Sequence, residues 1–422
     1  MYSLRNTRGP SRPCRHNAVS AALALIVIGL CLVPSRAQAK YGGGAGTQNS
    51  PYLISTPEQM NEIGLSSGDW SRHFRLTADI DMSELGGSAY NIIGSATAGF
   101  SGVFDGSGHE ISNLSLTTTH QLYTGLFGVV GGEVRNLGLA RPVIVAQGSR
   151  VGALIGQLDH GTVVSCHARS ASVSGNDDVG ALVGRNAGRI FSCYSTGNVS
   201  GNANVGGLVG LLSDGSVNSS YSKADVTGNR DVGGLVGKTG NEIAAVRNCF
   251  ATGSTVGDRY VGGLIGQIER GAAERCFSAG SVSGNQDVGG LTGRVRVLGM
   301  VLHCFWDTEA SGQQTSGGGT GKTTSEMMTI NTYFAVNWDF VSTWTICEGL
   351  NYPVLLQQIP ITDFLCRDGV DFIDFAYFAA RWHRQGCTPA NGNCEGADVD
   401  GSGAVDFADF EIFAKRWMLG IP

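Results

Sequence analysis

The hexapeptide Val205-Gly206-Gly207-Leu208-Val209-Gly210 belongs to a repeat that decides the fold of this 422-residue chain. The runs between copies of the hexapeptide are short, rich in Val, Ile, Ser and Thr, and separated by Gly and Asn. This pattern predicts an all-β chain folded as a parallel β-helix, or β-solenoid, with one coil per repeat. Related hexapeptides begin 26 to 29 residues apart, at Val151, Val179, Val232, Val261 and Val288, and a weaker copy, Gly125-Leu126-Phe127-Gly128, lies one period earlier.

Each repeat also contains a small residue followed by an aromatic residue or histidine. If the coils stack about 4.8 Å apart, each of these positions forms a column along the solenoid. Because neighbouring side chains of a strand point to opposite faces, we expect only one member of each pair to be buried. An exposed column of rings would suit stacking against sugars or contact with another surface protein. The pairs are Cys166-His167, Cys193-Tyr194, Ser220-Tyr221, Cys249-Phe250, Cys276-Phe277 and Cys304-Phe305.

A Gly-Asn or Gly-Asp pair precedes each valine of the repeat. We expect these pairs to form a corner of every coil, because Gly and Asn tolerate positive φ. We also expect stacked Asn amides to hydrogen-bond to one another along the solenoid. Charged residues beside them, Asp178 and Asp231 among others, are expected to be solvated. The polar members of the pairs are Asn176, Asn202, Asn229, Asp258 and Asn285.

The composition excludes several classes of protein. Glycine contributes 64 residues, far below the one third that collagen needs, and charged residues make up 15 %, too few for a charge-rich disordered chain. The formal net charge is −6, and removing residues 1–39, which hold five arginines and no acid, leaves −6 − 5 = −11. A chain this acidic is not expected to bind nucleic acid.

Residues 1–39 are predicted to be a secretory signal peptide. A basic start is followed by the apolar run 18–33 and by Ala37-Gln38-Ala39, an A-x-A cleavage pattern. The apolar run is short for a membrane span, and no later run approaches about 20 residues. We therefore expect a secreted or cell-surface protein with no transmembrane segment in its mature chain.

The rest of the chain is predicted to form four parts. The first, an N-terminal cap, should contain a short helix near residues 57–64, because Thr56-Pro57-Glu58-Gln59 is a capping box. Trp338, Trp344 and Tyr352 are expected to close the solenoid at its other end. The parts are residues 40–122 for the cap and first coils, 123–310 for the repeats, 311–359 for the closing coil, and 360–422 for a small α-helical, EF-hand-like module.

The end of the chain has the spacing of a calcium-binding loop. Calcium prefers six to eight oxygen ligands, and an EF-hand loop supplies them from fixed positions over twelve residues. A helical apolar spacing, from Phe407 to Trp417, follows this loop. The predicted ligands are side-chain oxygens of Asp398, Asp400, Ser402, Asp406 and Asp409, with the backbone carbonyl of Ala404.

The C-terminal module resembles a type I dockerin. Val370-Asp371-Phe372-Ile373-Asp374-Phe375 parallels Val405-Asp406-Phe407-Ala408-Asp409-Phe410, 35 residues later. The resemblance implies calcium loops and a cohesin domain as partner. This chain departs from the family in its first loop, where Leu365 and Arg367 replace oxygen ligands, so we expect a single calcium ion. It departs again at Phe407-Ala408, where dockerins usually carry two hydroxyl residues, which weakens the expectation of a cohesin partner.

The repeats resemble the GLUG motif family, named for Gly-Leu-any-Gly. Gly207-Leu208-Val209-Gly210 and Gly263-Leu264-Ile265-Gly266 carry the likeness, which recurs in phase over roughly 190 residues. The family occurs in secreted and surface proteins of bacteria, including adhesin-like proteins and non-catalytic regions of surface proteases. What the resemblance implies is a solenoid scaffold at or beyond the cell surface, with no reaction attached.

The cysteines favour a structural role. The ladder cysteines lie one per coil without a C-x-x-C pair, so buried thiols are a better interpretation than a zinc or redox site, although neighbours such as Cys249 and Cys276 could form a bridge. Cys387 and Cys394 bracket a turn and could form a disulfide, as could Cys347 and Cys366.

Two functions are compatible with these patterns. We expect an exported, non-catalytic scaffold that binds an extracellular polysaccharide or a surface protein, because the sequence shows no carboxylates converging beside Lys or Arg. The alternative is a secreted polysaccharide-degrading enzyme, or its accessory subunit, docked through the C-terminal module. A β-helix can support such lyase or hydrolase chemistry on a groove of its surface.

Overall fold

The computed structural model describes residues 40–85, 89–119, 122–356, 363, 370, 372–388 and 392–417. The predicted signal peptide lies outside these residues. Contacts between residues divide the chain into Met1–Lys40 and Tyr41–Pro422, and the description below concerns the second unit.

The repeats form a β-solenoid of about eight turns. Most coils contribute short strands to two or three long sheets, and pairing between coils is parallel. With strands numbered in chain order, the first sheet contains β1 Tyr52–Ile54, β2 His73–Leu76, β4 Val103–Asp105, β7 Phe127–Val130, β8 Glu133–Arg135, β11 Ile155–Leu158, β12 Thr162–Val164, β15 Val183–Asn186, β16 Arg189–Phe191, β19 Val209–Leu212, β20 Ser216–Asn218, β23 Val236–Thr239, β24 Ala245–Arg247, β28 Ile265–Glu274 and β32 Thr292–Leu302.

Two further sheets complete the coils, and one antiparallel pair lies after them. The second sheet contains β3 Ile80–Asp81, β5 Glu110–Ser112, β6 Ser115–Thr118, β9 Gly138–Ala140, β10 Val143–Ala146, β13 His167–Ser174, β17 Tyr194–Ser200, β21 Tyr221–Thr227, β25 Phe250–Ala251, β26 Thr255–Val256, β29 Phe277–Ser278, β30 Val282–Ser283, β33 Phe305–Asp307 and β34 Thr320–Lys322. The third contains β14 Asp177–Gly180, β18 Ala203–Gly206, β22 Arg230–Gly233, β27 Arg259–Gly262 and β31 Gln286–Gly289, and the antiparallel pair is β35 Trp344–Thr345 with β36 Val354–Leu355.

Short helices flank the solenoid. The predicted N-terminal helix is confirmed: the Thr56 hydroxyl accepts from the Gln59 amide, and Met60 and Ile63 are buried in the solenoid core. A capping box at Thr323 and Glu326 starts another short helix, Thr324–Met327. The helices are α1 Pro57–Leu65, α2 Thr308–Ser311, α3 Thr324–Met327, α4 Asn331–Phe334, α5 Phe372–Ala379 and α6 Phe407–Arg416, with 3-10 turns at Ser67–Asp69 and Ser83–Leu85.

The repeat period is the coil period. Val205 is in register with Val179 on one side and with Val232 on the other. The series continues to Val261 and Val288, and Thr124 takes the valine position beneath Val151. Residues about 27 apart in sequence are therefore neighbours in space, as predicted.

The cysteine column lies in the solenoid core, as predicted. Cys166, Cys193, Cys249, Cys276 and Cys304 are buried free thiols, so neighbouring members do not form a bridge. The Cys166 amide approaches the Cys193 sulfur at 3.5 Å, and burial raises the pKa of the Cys193 thiol to about 12. Thiols held protonated in this way are poor nucleophiles and poor metal ligands, which supports the structural interpretation.

The corners differ from the prediction. Positive φ is found two residues after the expected Asn, at the residue immediately before each valine, as at Asp178 (φ 55°) and Tyr260 (φ 57°). The Asn side chains do bond along the stack, as predicted, and Asn229 Nδ2 donates to Asn202 Oδ1 at 2.9 Å. The expectation that all corner carboxylates are solvated is also wrong, because Asp178 and Asp231 are buried.

Most of the aromatic column is covered on the outside of the solenoid, so the expectation that only one member of each pair is buried is wrong for four of the six pairs; it holds for Cys166-His167 and Cys193-Tyr194, whose rings are half-buried. Tyr221, Phe250, Phe277 and Phe305 are all buried, although they face away from the cysteine column. Met327, Tyr333, Trp338, Trp344 and Leu355 pack onto them and form a second core. A sugar-stacking role for these four rings therefore loses its basis.

The segment expected to close the solenoid contacts it in two separate places. Trp338 and Trp344 lie along the outside of the last coils, and Trp338 Nε1 donates to the carbonyl of His303 at 2.9 Å. The backbone of the last coil is covered by the loop before them, where the Gly317 amide donates to Thr292 and the Ser316 hydroxyl accepts from the Thr292 amide.

The C-terminal module contains two packed helices, α5 and α6. The rings of Phe378 and Phe413 stack with centroids 5.3 Å apart, and both side chains are buried. The predicted disulfide between Cys387 and Cys394 is present. The second proposed pair lies partly outside the described residues, because Cys366 is not among them.

Candidate functional site

Three carboxylates of the predicted calcium loop converge. Asp398, Asp400 and Asp409 each offer an oxygen, and these oxygens lie within 4.8 Å of one another. Oxygens bound to one calcium ion at about 2.3–2.6 Å are at most about 5 Å apart, so the three side chains fit a shared ion of this size. Asp398 and Asp409 are buried, and burying like charges together is unfavourable without a cation.

Backbone amides hold this cluster in place. Asp409 Oδ1 accepts from the amides of Val399 and Asp400, and the two oxygens of Asp398 accept from the amides of Ser402 and Gly403. The loop can make these bonds because Gly401 and Gly403 adopt positive φ. The carboxylates are thus preorganised by the chain that connects them.

The other predicted ligands lie outside the cluster of three. Asp406 Oδ1 accepts from the Ala408 amide and forms the N-cap of α6, while Asp409 Oδ2 accepts from the Asp406 amide. The Ser402 hydroxyl donates to the carbonyl of Ala404 at 3.3 Å. The Leu365 and Arg367 positions of the first loop lie outside the described residues, but Asp363 and Asp374, which correspond to Asp398 and Asp409, are both buried.

Phe407, one of the two residues at which the second loop departs from the dockerin pattern, lines an apolar groove of about 320 Å³ between α5 and α6. Phe407 is 76 % exposed and Phe410 36 %. Trp382, Phe375, Phe378 and Ala379 complete the lining. No residue of this lining is charged. The surface is therefore apolar, whereas the dockerin pattern has hydroxyl groups at the positions of Phe407 and Ala408.

A second candidate site, which the sequence analysis missed, is a polar groove on the solenoid. It has a volume of about 440 Å³, and its lining includes Arg185, Asn204, Asp214, Lys238, Glu269 and Arg270. These residues belong to successive coils, because Arg185, Leu211 and Lys238 occupy one position of the repeat in strict register. We call this position the central row.

Charge alternates along the central row. Its members, coil by coil, are Gln157, Arg185, Leu211, Lys238, Gln267 and Arg294. The residue seven positions earlier in each coil is the positive-φ corner, and these residues form a corner row of Arg150, Asp178, Asn204, Asp231, Tyr260 and Asp287. An acidic corner thus accompanies a cation in every second coil.

Glu269 connects two basic groups at one edge of the groove. Its carboxylate contacts Lys238 Nζ at 3.1 Å and Arg296 Nε at 3.2 Å, and it accepts from Gln267 Nε2 at 2.7 Å. Burial alone would raise the pKa of Glu269, but the hydrogen bond and charge of Lys238, with the charge of Arg296, lower it. Glu269 is therefore held in its ionised form.

The pKa of Asp231 is shifted in the opposite direction to that of Glu269. Its side chain is 3 % exposed, and burial raises its pKa against the opposing charges of Lys238 and Arg230. Arg230 contacts Oδ2, whereas Oδ1 has no hydrogen-bond partner among the described residues. The same effect of burial raises the pKa of Asp178, whose Oδ1 accepts from Asn204 Nδ2 at 2.7 Å.

Comparisons with known proteins agree with the repeat pattern. A family model described as the GLUG motif matches residues 228–257. This segment of the chain carries the GLUG motif. Two relatives are similar to part of the chain: a protein named as a Gly-rich membrane protein in Evansella cellulosilytica, 33 % identical over 184 residues, and halomucin of Haloquadratum walsbyi, 35 % identical over 152 residues.

The similarity covers only a small part of each relative's own length. The matches cover 35 % and 33 % of this chain, but only 21 % of the Evansella protein and 2 % of halomucin. A crystal structure of a protein assigned as an immunoglobulin A1 protease of Bacteroides ovatus is similar in fold, with a TM-score of 0.50 and 23 % identity, covering 75 % of this chain and 95 % of that one. Among the described residues, no helix combines the length and hydrophobicity needed to cross a membrane.

Proposed function

We propose that this protein is an exported, non-catalytic scaffold that binds a polysaccharide or another protein at the cell surface or beyond it. The unbroken register from Thr124 to Val288 carries this proposal. A regular stack presents the same side-chain positions repeatedly along one face, which suits an extended ligand better than a small molecule. The names of the two relatives, a Gly-rich membrane protein and halomucin, support a surface location.

A binding array on the intact chain tests the scaffold. We expect binding to at least one polysaccharide or surface protein, with cohesin domains included as separate spots because the module resembles a dockerin. Binding that is lost on unfolding the chain by heat would show that the folded solenoid is needed. An array on which no glycan and no protein binds would contradict the proposal.

We further propose that one calcium ion orders the C-terminal module, held by Asp398, Asp400 and Asp409. Bound there, the ion would neutralise carboxylates that the fold has already brought together, and this is the chemistry it supplies. Ser402, Ala404 and Asp406 would add oxygens directly or through water, as their positions in the loop predict. Binding to the folded form alone would raise the stability of the module by mass action.

Replacing Asp409 by Ala should abolish this calcium binding. Asp409 is fully buried and its carboxylate touches three backbone amides, so its loss removes both a ligand and the support of the loop. Calorimetry on the intact chain should give one site for the parent and at least about a 100-fold weaker affinity, or about 2.7 kcal/mol, for Asp409→Ala.

The matched control is Glu411→Gln on the same helix. Glu411 is exposed, and among the described residues its carboxylate pairs only with Lys415, so the calcium affinity of this variant should equal that of the parent. Asp398→Asn, which keeps the shape of the side chain, should also weaken binding. Two equal sites in the parent would show that the first loop binds calcium too, and unchanged affinity in Asp409→Ala would contradict the assignment.

A second candidate function, cleavage of a polysaccharide, is favoured by the polar groove. Asp231 and Glu269 lie close enough for their charges to interact, and their pKa values are shifted in opposite directions, as an acid and a base require. Release of reducing ends from a panel of polysaccharides tests this function. The scaffold predicts none, whereas activity that Asp231→Asn abolishes would establish an enzyme.

A further inference from the structure

The C-terminal module carries a continuous row of six aromatic rings. Centroids of neighbouring rings in this row are 4.9, 5.6, 6.4, 6.2 and 5.2 Å apart. Three of the rings come from α5 and the turn that follows it, and three from α6 and its C-cap. We call this set the aromatic row, and its members in spatial order are Phe372, Trp417, Phe375, Phe410, Trp382 and Phe407.

The aromatic row reads the same from either end. Phe372 and Phe407 at its ends are 77 % and 76 % exposed, and Phe375 and Phe410 at its centre are 38 % and 36 % exposed. Each tryptophan contacts the end ring of the other helix nearly edge-on, at 84° and 87°. The sequence repeat explains this symmetry, because the two phenylalanines of α5 lie 35 residues before those of α6. A half-turn about the centre of the row therefore exchanges the two helices.

The chemistry of the row favours an apolar partner. The groove beside it is lined by no charged and no hydroxyl side chain. Successive rings of the row are inclined to one another by 59° to 89°, so they do not form a flat platform on which successive sugars could stack. The surface therefore fits another apolar protein surface better than it fits a polysaccharide.

The exposed area of the row is large enough for a dimer interface. The exposed fractions of its four phenylalanines add up to more than two whole rings. At about 150–250 Å² per aromatic side chain, this is roughly 350–550 Å² of apolar surface on each copy. Burying it on two copies would remove roughly 700–1,100 Å² from water, near the size at which specific interfaces begin, before the surrounding residues are counted. Monomeric proteins rarely leave an apolar patch of this size exposed.

The symmetry of the row favours a second copy of the chain as the partner. An isologous dimer brings the same patch of two copies together, so each group must be compatible with groups of that same patch. The row meets this condition, because it brings no like charges together and because its two halves are equivalent. The protruding rings Phe372 and Phe407 of one copy would then pack against the groove of the other. Interfaces between identical subunits are also the more apolar class of interface.

We propose that two copies of this chain associate through the aromatic row, with α5 and α6 of one copy packed on α5 and α6 of the other around a two-fold axis. The assembly closes at two copies, because each copy uses its whole row. This inference goes beyond the proposed function, since it does not depend on the ligand of the solenoid. A dimer carries two solenoids, so an extended ligand that contacts both is bound with greater avidity.

Sedimentation equilibrium on the intact chain, in a buffer that contains calcium, tests the proposal. We expect a reversible equilibrium between the monomer and a species of twice its mass, with a Kd in the micromolar range. A monomer mass at every concentration up to about 100 μM would overturn the proposal. Oligomers that keep growing with concentration would also overturn it, because a two-fold interface closes at the dimer.

Phe372→Ser and Phe407→Ser are equivalent variants on the two helices. Each removes an exposed ring, so the fold should be unchanged, which far-UV circular dichroism checks. We expect each variant to weaken dimerisation at least about tenfold, and by similar factors, because the two rings occupy equivalent positions. The matched control is Phe191→Ser, an exposed phenylalanine of β16 on the solenoid, which should dimerise like the parent. Equal losses in Phe191→Ser and Phe407→Ser would overturn the proposal, and so would unchanged dimerisation in both ring variants.

The failure of this inference differs from that of the scaffold. Dimers that form although nothing binds on the array would support the aromatic row and contradict the scaffold. A chain that stays monomeric but captures a cohesin domain or another protein, with capture lost in Phe407→Ser, would overturn the second copy as the partner and leave the scaffold intact.

Discussion

Replacing Gly237 by Ala is expected to lower the free energy of unfolding by about 3 kcal/mol, the upper end of the usual cost of overpacking. A Cβ atom at this position would lie 2.5 Å from the backbone carbon of Asn204 and from the backbone nitrogen of Val205, and 2.6 Å from the carbonyl oxygen of Gly210. All three atoms belong to the neighbouring coil. They are backbone atoms fixed by ladder hydrogen bonds, so they cannot move aside as a flexible side chain would.

Gly68→Ala is the matched control for this substitution. Gly68 is exposed, and a Cβ built on it meets no atom within 4 Å. Its effect should stay within about 0.5 kcal/mol. Urea unfolding of the intact chain, followed by circular dichroism, measures both variants. Equal midpoints for Gly237→Ala and Gly68→Ala would contradict the close approach of the coils.

Replacing Trp344 by Ala should cost about 3 to 5 kcal/mol of the free energy that holds residues 327–355 on the solenoid. Trp344 is fully buried, and its ring lies 6.2 Å from that of Phe250, 6.0 Å from that of Phe277 and 4.7 Å from that of Trp338, measured between centroids. Its loss would leave a cavity at the centre of the second core. We expect this segment to become sensitive to limited proteolysis while the coils remain folded.

Two further variants make this prediction specific. Trp344 Nε1 is buried and has no hydrogen-bond partner among the described residues, so Trp344→Phe should cost well under half as much as Trp344→Ala. Phe334→Ala removes a ring of the same segment that is 53 % exposed, and it should leave proteolysis unchanged. If Trp344→Ala were no more sensitive than Phe334→Ala, the second core would not hold the segment.

The period of the repeat predicted the stacking of the solenoid correctly. Val205 and Val232 are neighbours because a residue position that recurs every 27 or so residues can only be buried by stacking on its own copies. The cysteine column and the N-cap at Thr56 were also predicted, since both follow from local spacing. Local rules failed at the corners, where the positive φ falls on Asp178 and Tyr260 rather than on the expected Asn.

For the predicted calcium loop, the spacing of Asp398, Asp400 and Asp409 was sufficient to predict that their carboxylates meet. Ligand spacing is local information, because all three side chains lie within twelve residues of chain. The polar groove is different. Lys238 and Glu269 belong to different coils, about 30 residues apart in the sequence, so no local pattern showed that they form an ion pair.

The sequence by itself determined the coil, its period and the side chains that point inward. Each repeat carries that information locally, and stacking repeats the same arrangement in every coil. Tertiary structure alone decided which outward-facing positions remain exposed. The rings from Tyr221 to Phe305 are covered by a segment that follows the repeats and has no periodic relation to them. The charge of the groove arose in the same way, since it depends on which side chains of successive coils become neighbours.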